Sequence, residues 1–106
     1  EEKVMYALRF YPKAKQDLEN IYTYISKELC NPEAAKKLIS TIEKGLTQVR
    51  EIPFSCPKIA NVPVKNREIR KLVVENYIIF YLANEQDKQI EVVRILYGMM
   101  DYQKIL

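Results

Sequence analysis

Two rhythms of apolar residues divide the chain. Over 4–11 (VMYALRFY) the side chains alternate, Met5, Ala7 and Arg9 against Tyr6, Leu8 and Phe10, which is the period of a strand. From Pro12 the spacing widens. Ala14, Leu18, Ile21, Ile25 and Leu29 step down one stripe and predict a helix over 12–29, opened by a proline whose missing N–H costs nothing in a first turn. Tyr22 and Tyr24 flank that stripe, where an aromatic ordinarily packs at the edge of a core. Asn31-Pro32-Glu33 then combines an N-cap side chain, a proline at the first helical position and a carboxylate near the positive helix end. A second helix follows to Glu51, with Ala35, Leu38, Ile42, Leu46 and Val49 on its stripe and Ile39 beside it. The short link between the helices predicts an antiparallel hairpin, and Pro53 and Pro57 end it.

Beyond Glu68 the period returns to two. Strands are predicted over 69–74, 77–83 and 89–97, the first two joined by Glu75-Asn76, whose asparagine tolerates positive φ, and the last two by a polar turn over 84–88. The expected fold is α+β: a helical hairpin packed on one face of a roughly four-stranded antiparallel sheet, with a turn at Gly98 and a short helical turn over 101–106. The other face of the sheet is expected to be open to a partner. In the last strand, alternation sets Ile90, Val92, Arg94 and Leu96 against Glu91, Val93, Ile95 and Tyr97. Arg94 therefore interrupts an apolar row. A half-buried guanidinium stays charged and needs a carboxylate or carbonyl partner, or else it borders a surface built to meet an anion or an acidic protein. Both readings stand at this point.

Composition narrows the chemistry. At 106 residues and 48% hydrophobic content the chain supports one core, and a single domain over 4–106 is expected. Lysine and arginine number 17 against 14 acids, and a net charge of +3 permits an anionic partner without requiring one. No apolar run approaches the ~20 residues of a membrane span, and no signal-peptide core is visible. The expectation is a cytoplasmic chain with no membrane partner. Two cysteines and no histidine argue against a zinc site and exclude a histidine general base, so no metal or cofactor is expected. Cys30 and Cys56 lie at opposite ends of the hairpin, roughly 27 Å apart at ~1.5 Å per helical residue, and are expected to be free thiols. The basic segment over 58–71 carries Lys58, Lys65, Arg67, Arg70 and Lys71 against Glu68. Without an aromatic it reads equally as a phosphate-facing rim or as a lysine-guarded edge strand.

Three segments carry a resemblance. RFYPKAKQDLENIYTYI over 9–25, RKLVVENYIIFYL over 70–82 and VVRILYGMMDYQKIL over 92–106 resemble the RelE/ParE superfamily of bacterial toxins, from Tyr6 to the end of the chain. The resemblance implies the toxin of a type II toxin-antitoxin (plasmid stabilisation) module, silenced by a cognate antitoxin. It implies two possible targets: RelE-like members are mRNA interferases that cut messenger RNA on the ribosome, and ParE-like members inhibit DNA gyrase. Where the nucleases carry a catalytic arginine on the hairpin strand this chain has Ile78, and a second arginine maps to Met99 or Met100. A family histidine is Tyr97 here. Metal-free RNA cleavage needs cations and a base, which isoleucine and methionine cannot supply. A nuclease reading would therefore have to use Arg70, Arg94, Tyr97 and Tyr102. The segment over 92–101 matches the ParE-like ending instead, which implies a non-enzymatic gyrase inhibitor with Arg70, Arg94, Tyr97, Met99, Met100 and Asp101 as partner-binding residues. On that reading Arg94→Ala weakens partner binding and leaves RNA untouched. A third reading is a toxin-fold module that has lost toxicity and still pairs with its antitoxin.

Overall fold

A computed structural model describes residues 4–59 and 68–98. Strand β1 spans Ala7–Phe10 and runs directly into helix α1, Pro12–Thr23, with Pro12 in the first turn. A π-helical stretch, Tyr24–Glu28, continues it, and helix α2 spans Pro32–Glu51. Strands β2 (Arg70–Val74), β3 (Tyr77–Asn84) and β4 (Gln89–Tyr97) complete the sheet in the order β1-β4-β3-β2. This is the expected α+β arrangement, two helices on a four-stranded sheet.

The punctuation around Asn31 acts as its residue types require. The Asn31 side chain accepts from the Ala34 N–H at 3.1 Å, and Glu33 sits in the first turn of α2. Before it, the helix predicted to Leu29 widens at its end. The Leu29 N–H donates to the Tyr24 carbonyl five residues back, and Cys30 takes a left-handed φ of 49° to let the chain reverse. Cys30 is exposed and Cys56 half-buried, both as free thiols. The first strand is shorter than its alternation suggests: Val4 and Met5 are exposed and unpaired, and Tyr6 is buried.

The sheet is mixed, not wholly antiparallel. β1 pairs with β4 in parallel, while β2–β3 and β3–β4 are antiparallel. The reason lies at Tyr11-Pro12. α1 does not fold back over β1; it carries on past the end of β1 beside β4, bringing Asp17 to Ile95 and Tyr24 to the end occupied by Tyr97. α2 then returns the chain to where Tyr6 donates to the Arg50 carbonyl. Four reversals, not five, separate β1 from β4, and an even number leaves them parallel.

Helix side chains Ala14, Leu38, Ile42 and Leu46 pack against Val74, Ile79, Val92 and Ile95 of the sheet. The opposite face is not open. Ile69, Phe80, Leu82, Val93 and Leu96 form a second buried cluster there, with Phe80 fully inaccessible. The period-two reading of β4 also fails midway. Phe80 pairs with Arg94 and Tyr81 with Val92, so Val93 is an extra residue, a β-bulge. Ile95 thereby joins Val92 on the helix side, and Leu96 joins Val93 on the other. In the β2–β3 turn the positive φ falls on Glu75 (53°), not on Asn76. Gly98 serves a close approach: its N–H donates to the Asn76 carbonyl at 2.8 Å, and a Cβ would lie 3.2 Å from that oxygen. The helical turn expected over 101–106 lies outside the described residues.

Candidate functional site

Arg94 occupies the place where β4 loses its neighbour. β1 ends at Phe10, opposite Val92, and the outer edge of β4 beyond that point is covered by α1. Asp17 of α1 fills the gap: its carboxylate accepts from Arg94 Nε at 2.7 Å, from Arg94 Nη2 at 2.9 Å and from the Ile95 N–H at 2.9 Å. One side chain thus neutralises a guanidinium that is only 18% exposed and takes the place of an absent strand. These hydrogen bonds push the Arg94 pKa above its ordinary value, against the opposing effect of burial. Of the two readings of Arg94, the structure has the salt-bridged edge arginine. Asp17 was not singled out in the sequence, although a signal was present. It stands three residues after Ala14 and four before Ile21, a carboxylate inside the apolar stripe of α1, opposite an arginine inside the apolar row of β4.

Arg70 is also committed to structure. Its Nη1 donates to the carbonyls of Cys56 at 2.7 Å and Phe54 at 3.2 Å, and its guanidinium lies over the Phe54 ring at 5.0 Å. The fork and its stacking hold the loop after α2 against β2. Arg70→Lys is therefore expected to cost roughly 1 kcal/mol, because an ammonium cannot reproduce a planar double donor stacked on a ring. Urea unfolding measures the loss, and limited proteolysis should show faster cutting over 52–57. An unchanged urea midpoint would remove this role.

Tyr97 is 44% exposed and meets Tyr77 edge to face, with ring centroids 5.8 Å apart. Together with Tyr24, Ile25, Leu29 and Leu38 they line a cleft of about 750 Å³ between the end of the helical hairpin and the β2–β3 turn. Burial foremost, then the neighbouring phenols Tyr97 and Tyr24 and the Glu75 carboxylate, raise the Tyr77 pKa. A hydroxyl so shifted stays neutral near pH 7 and is a poor base. The cleft is thus suited to apolar and hydrogen-bonding contact more than to proton abstraction.

The three described candidates do not converge. Arg94 turns to α1, Arg70 to the loop after α2, and Tyr97 to Tyr77. Met99, Met100, Asp101 and Tyr102 lie outside the described residues, as do Lys65 and Arg67. Among the described residues no group of acids and cysteines could hold a metal ion, and no helix is long and apolar enough to cross a membrane.

Comparison with known proteins gives this geometry its context. The model of the ParE toxin family, toxins of the parDE type II toxin-antitoxin system, matches residues 8–102. A search of curated proteins finds no significant match. Among solved structures, the chain is similar to one from the chromosomal ParDE toxin-antitoxin system of P. aeruginosa, at 24% identity and a TM-score of 0.69 over 88% of this chain and 96% of that one. It is similar to a chain of the RelBE2 toxin-antitoxin complex of Mycobacterium tuberculosis, at 14% identity and a TM-score of 0.60 over 89% and 99%. A mutant of the E. coli toxin RelE in the free state matches at 14% identity and a TM-score of 0.59 over 95% and 92%.

Proposed function

This chain belongs to the ParE toxin family of type II toxin-antitoxin systems, and from that premise we propose that it acts in the cytoplasm as a DNA gyrase inhibitor held silent by a cognate antitoxin. The observation that carries the choice of target is the commitment of both described candidate arginines. A ribonuclease must present cations to the charge that builds on the scissile phosphate. Arg94 is neutralised by a carboxylate, Arg70 is consumed by two carbonyls and a ring, and the hairpin position where a nuclease arginine is expected is Ile78. The raised pKa of Tyr77 adds no base. Protein recognition asks for none of this chemistry. It needs apolar area with a few polar anchors, which the Tyr24, Tyr77 and Tyr97 cleft offers.

The test is expression of the chain without its antitoxin, followed by a DNA-damage reporter and by mapping of cut sites in ribosome-bound messenger RNA. Induction of the damage response with intact transcripts is the expected result. Cleaved transcripts without damage signalling would transfer the chain to the RelE-like ribonucleases. If neither occurs while an antitoxin complex still forms, the chain is a detoxified binding module.

A further inference from the structure

The cleft beside Tyr97 carries a charge opposite to that of the chain as a whole. Lysines and arginines outnumber acids by 17 to 14 along the sequence. Yet among the described residues no lysine or arginine lines this cleft of about 750 Å³, and its one charged group is the Glu75 carboxylate. No hydrogen bond or ion pair among the described residues reaches that carboxylate, nor the hydroxyls of Tyr24, Tyr77 and Tyr97 that share the cleft with it.

The rings are arranged for a cation. Tyr77 and Tyr97 meet at 73° with centroids 5.8 Å apart, a contact that covers one ring face and leaves the others to their surroundings. Tyr97 is 44% exposed and Tyr24 53%. An uncovered aromatic face is electron-rich and attracts a cation placed within about 6 Å of its centre. Burial first, and then Tyr97, Tyr24 and Glu75, raise the Tyr77 pKa, so these groups lie close enough to act on one another.

The backbone holds them there at some cost. Glu75 has a φ of 53° at the first central position of the β2–β3 turn, where glycine is the unstrained residue, so the turn itself does not call for a glutamate. Tyr24 opens the π-helical stretch, and Ile25 and Leu29 line the same wall. Widened helical turns of this kind are frequent at functional sites.

The chemistry selects the occupant. A phosphate or carboxylate would meet Glu75 with no cation to offset it, and a wholly apolar segment would cover the carboxylate and the phenols without giving them partners. A guanidinium satisfies all of them: its plane lies on aromatic rings, its N–H groups fork onto a carboxylate, and its aliphatic stem packs on apolar side chains such as Ile25 and Leu29. An ammonium has no plane to stack.

We propose that the cleft is a receptor for an arginine side chain of the toxin's protein target, the guanidinium stacking on the Tyr77 and Tyr97 rings and forking onto the Glu75 carboxylate. That the target is DNA gyrase rests on the reading given above. A desolvated arginine seated among tyrosines is the kind of central anchor that carries a large share of the energy of a protein interface.

The test has two arms, both on the full chain refolded free of co-expressed antitoxin. In the first, the chain is titrated with N-acetyl-arginine amide and with its neutral isostere N-acetyl-citrulline amide. The arginine probe alone is expected to shift the ring signals of Tyr24, Tyr77 and Tyr97 in NMR spectra. In the second, inhibition of gyrase supercoiling is measured for wild type and variants. Glu75→Gly removes the carboxylate while giving the turn its unstrained residue, so its melting temperature should hold or rise while the concentration for half-inhibition rises roughly tenfold or more, about 1.4 kcal/mol. Tyr97→Leu keeps apolar bulk without the ring and should weaken inhibition likewise, whereas Tyr97→Phe keeps the ring and should retain most of it. Thermal melts identify a Tyr97 variant that fails to fold, in which case Glu75→Gly decides. Equal or absent shifts with the two probes overturn the proposal, and inhibition by the wild type then leaves the gyrase reading intact. Shifts specific to arginine with undiminished inhibition by Glu75→Gly also overturn it, because the target then does not use the site. A wild-type chain that binds the arginine probe and leaves gyrase active removes the gyrase reading, and with it the arginine assigned to that target.

Discussion

Replacing Asp17 by alanine is expected to lower the unfolding free energy by about 3 kcal/mol and the melting temperature by roughly 15 °C. The carboxylate accepts three hydrogen bonds, two from Arg94 and one from the Ile95 backbone. Its removal leaves a guanidinium that is 82% covered without a counter-charge, and a strand-edge N–H without an acceptor. The cost is therefore mainly that of stranded groups rather than of a lost attraction. Asp17→Asn should cost less, because an amide oxygen can still accept one or two of the bonds. Arg94→Ala should destabilise too, and the double variant should be less damaged than the sum of the singles, with a coupling of about 1–3 kcal/mol. Chemical denaturation of the four proteins closes this cycle. Single variants that each cost under about 0.5 kcal/mol would show the pair to be ornamental. The outcome also governs how toxicity data are read, since loss of toxicity in Arg94→Ala would then report a weakened fold before it reports a lost target contact.

Raising the pH above 10 should destabilise the protein steeply, with Tyr81 as the main described cause. Its side chain is wholly buried, and its hydroxyl donates to the Pro53 carbonyl at 3.0 Å. Burial first, then the neighbouring Cys56, push its pKa well above the ordinary 10, against a smaller lowering by Arg70. A phenol with a raised pKa in the folded state contributes its full stability below pH 10. Above that, the unfolded chain releases the proton while the folded chain keeps it, and stability falls by up to about 1.4 kcal/mol per pH unit. Tyr77 shifts in the same direction, so both phenols steepen the loss above pH 10. Tyr81→Phe gives up a hydrogen bond, about 1 kcal/mol at neutral pH, and should flatten the alkaline limb. Urea midpoints of both proteins between pH 8 and 12 test this, and parallel curves would mean that Tyr81 ionises without unfolding the core.

Much of the fold was legible because it is written in local terms. The stripe Ala35, Leu38, Ile42, Leu46 and Val49 names the buried face of α2, and all five are buried. Asn31 and Pro32 open that helix by chemistry contained within four residues, and Glu75-Asn76 closes a hairpin whose strands are adjacent in sequence. The toxin family was legible for a related reason, since the motifs around Arg70 and Arg94 recur in the strands that build the sheet.

What only the tertiary structure decided depends on relations between distant segments. Whether β4 runs parallel to β1 turns on the direction α1 takes after Pro12, and no hydrophobic period encodes a direction. The bulge at Val93 inverts the faces of Ile95 and Leu96, because one inserted residue shifts a period of two by half a cycle. Burial of the second sheet face, by contrast, was signalled by the apolar residues that fall on both sides of β3 and β4, and the expectation of an open face overlooked it. Asp17 and Arg94 were each visible as a charge within an apolar pattern, 77 residues apart. A charge on a buried face announces in sequence that it needs a partner, and only the packing of α1 against the open edge of β4 says which.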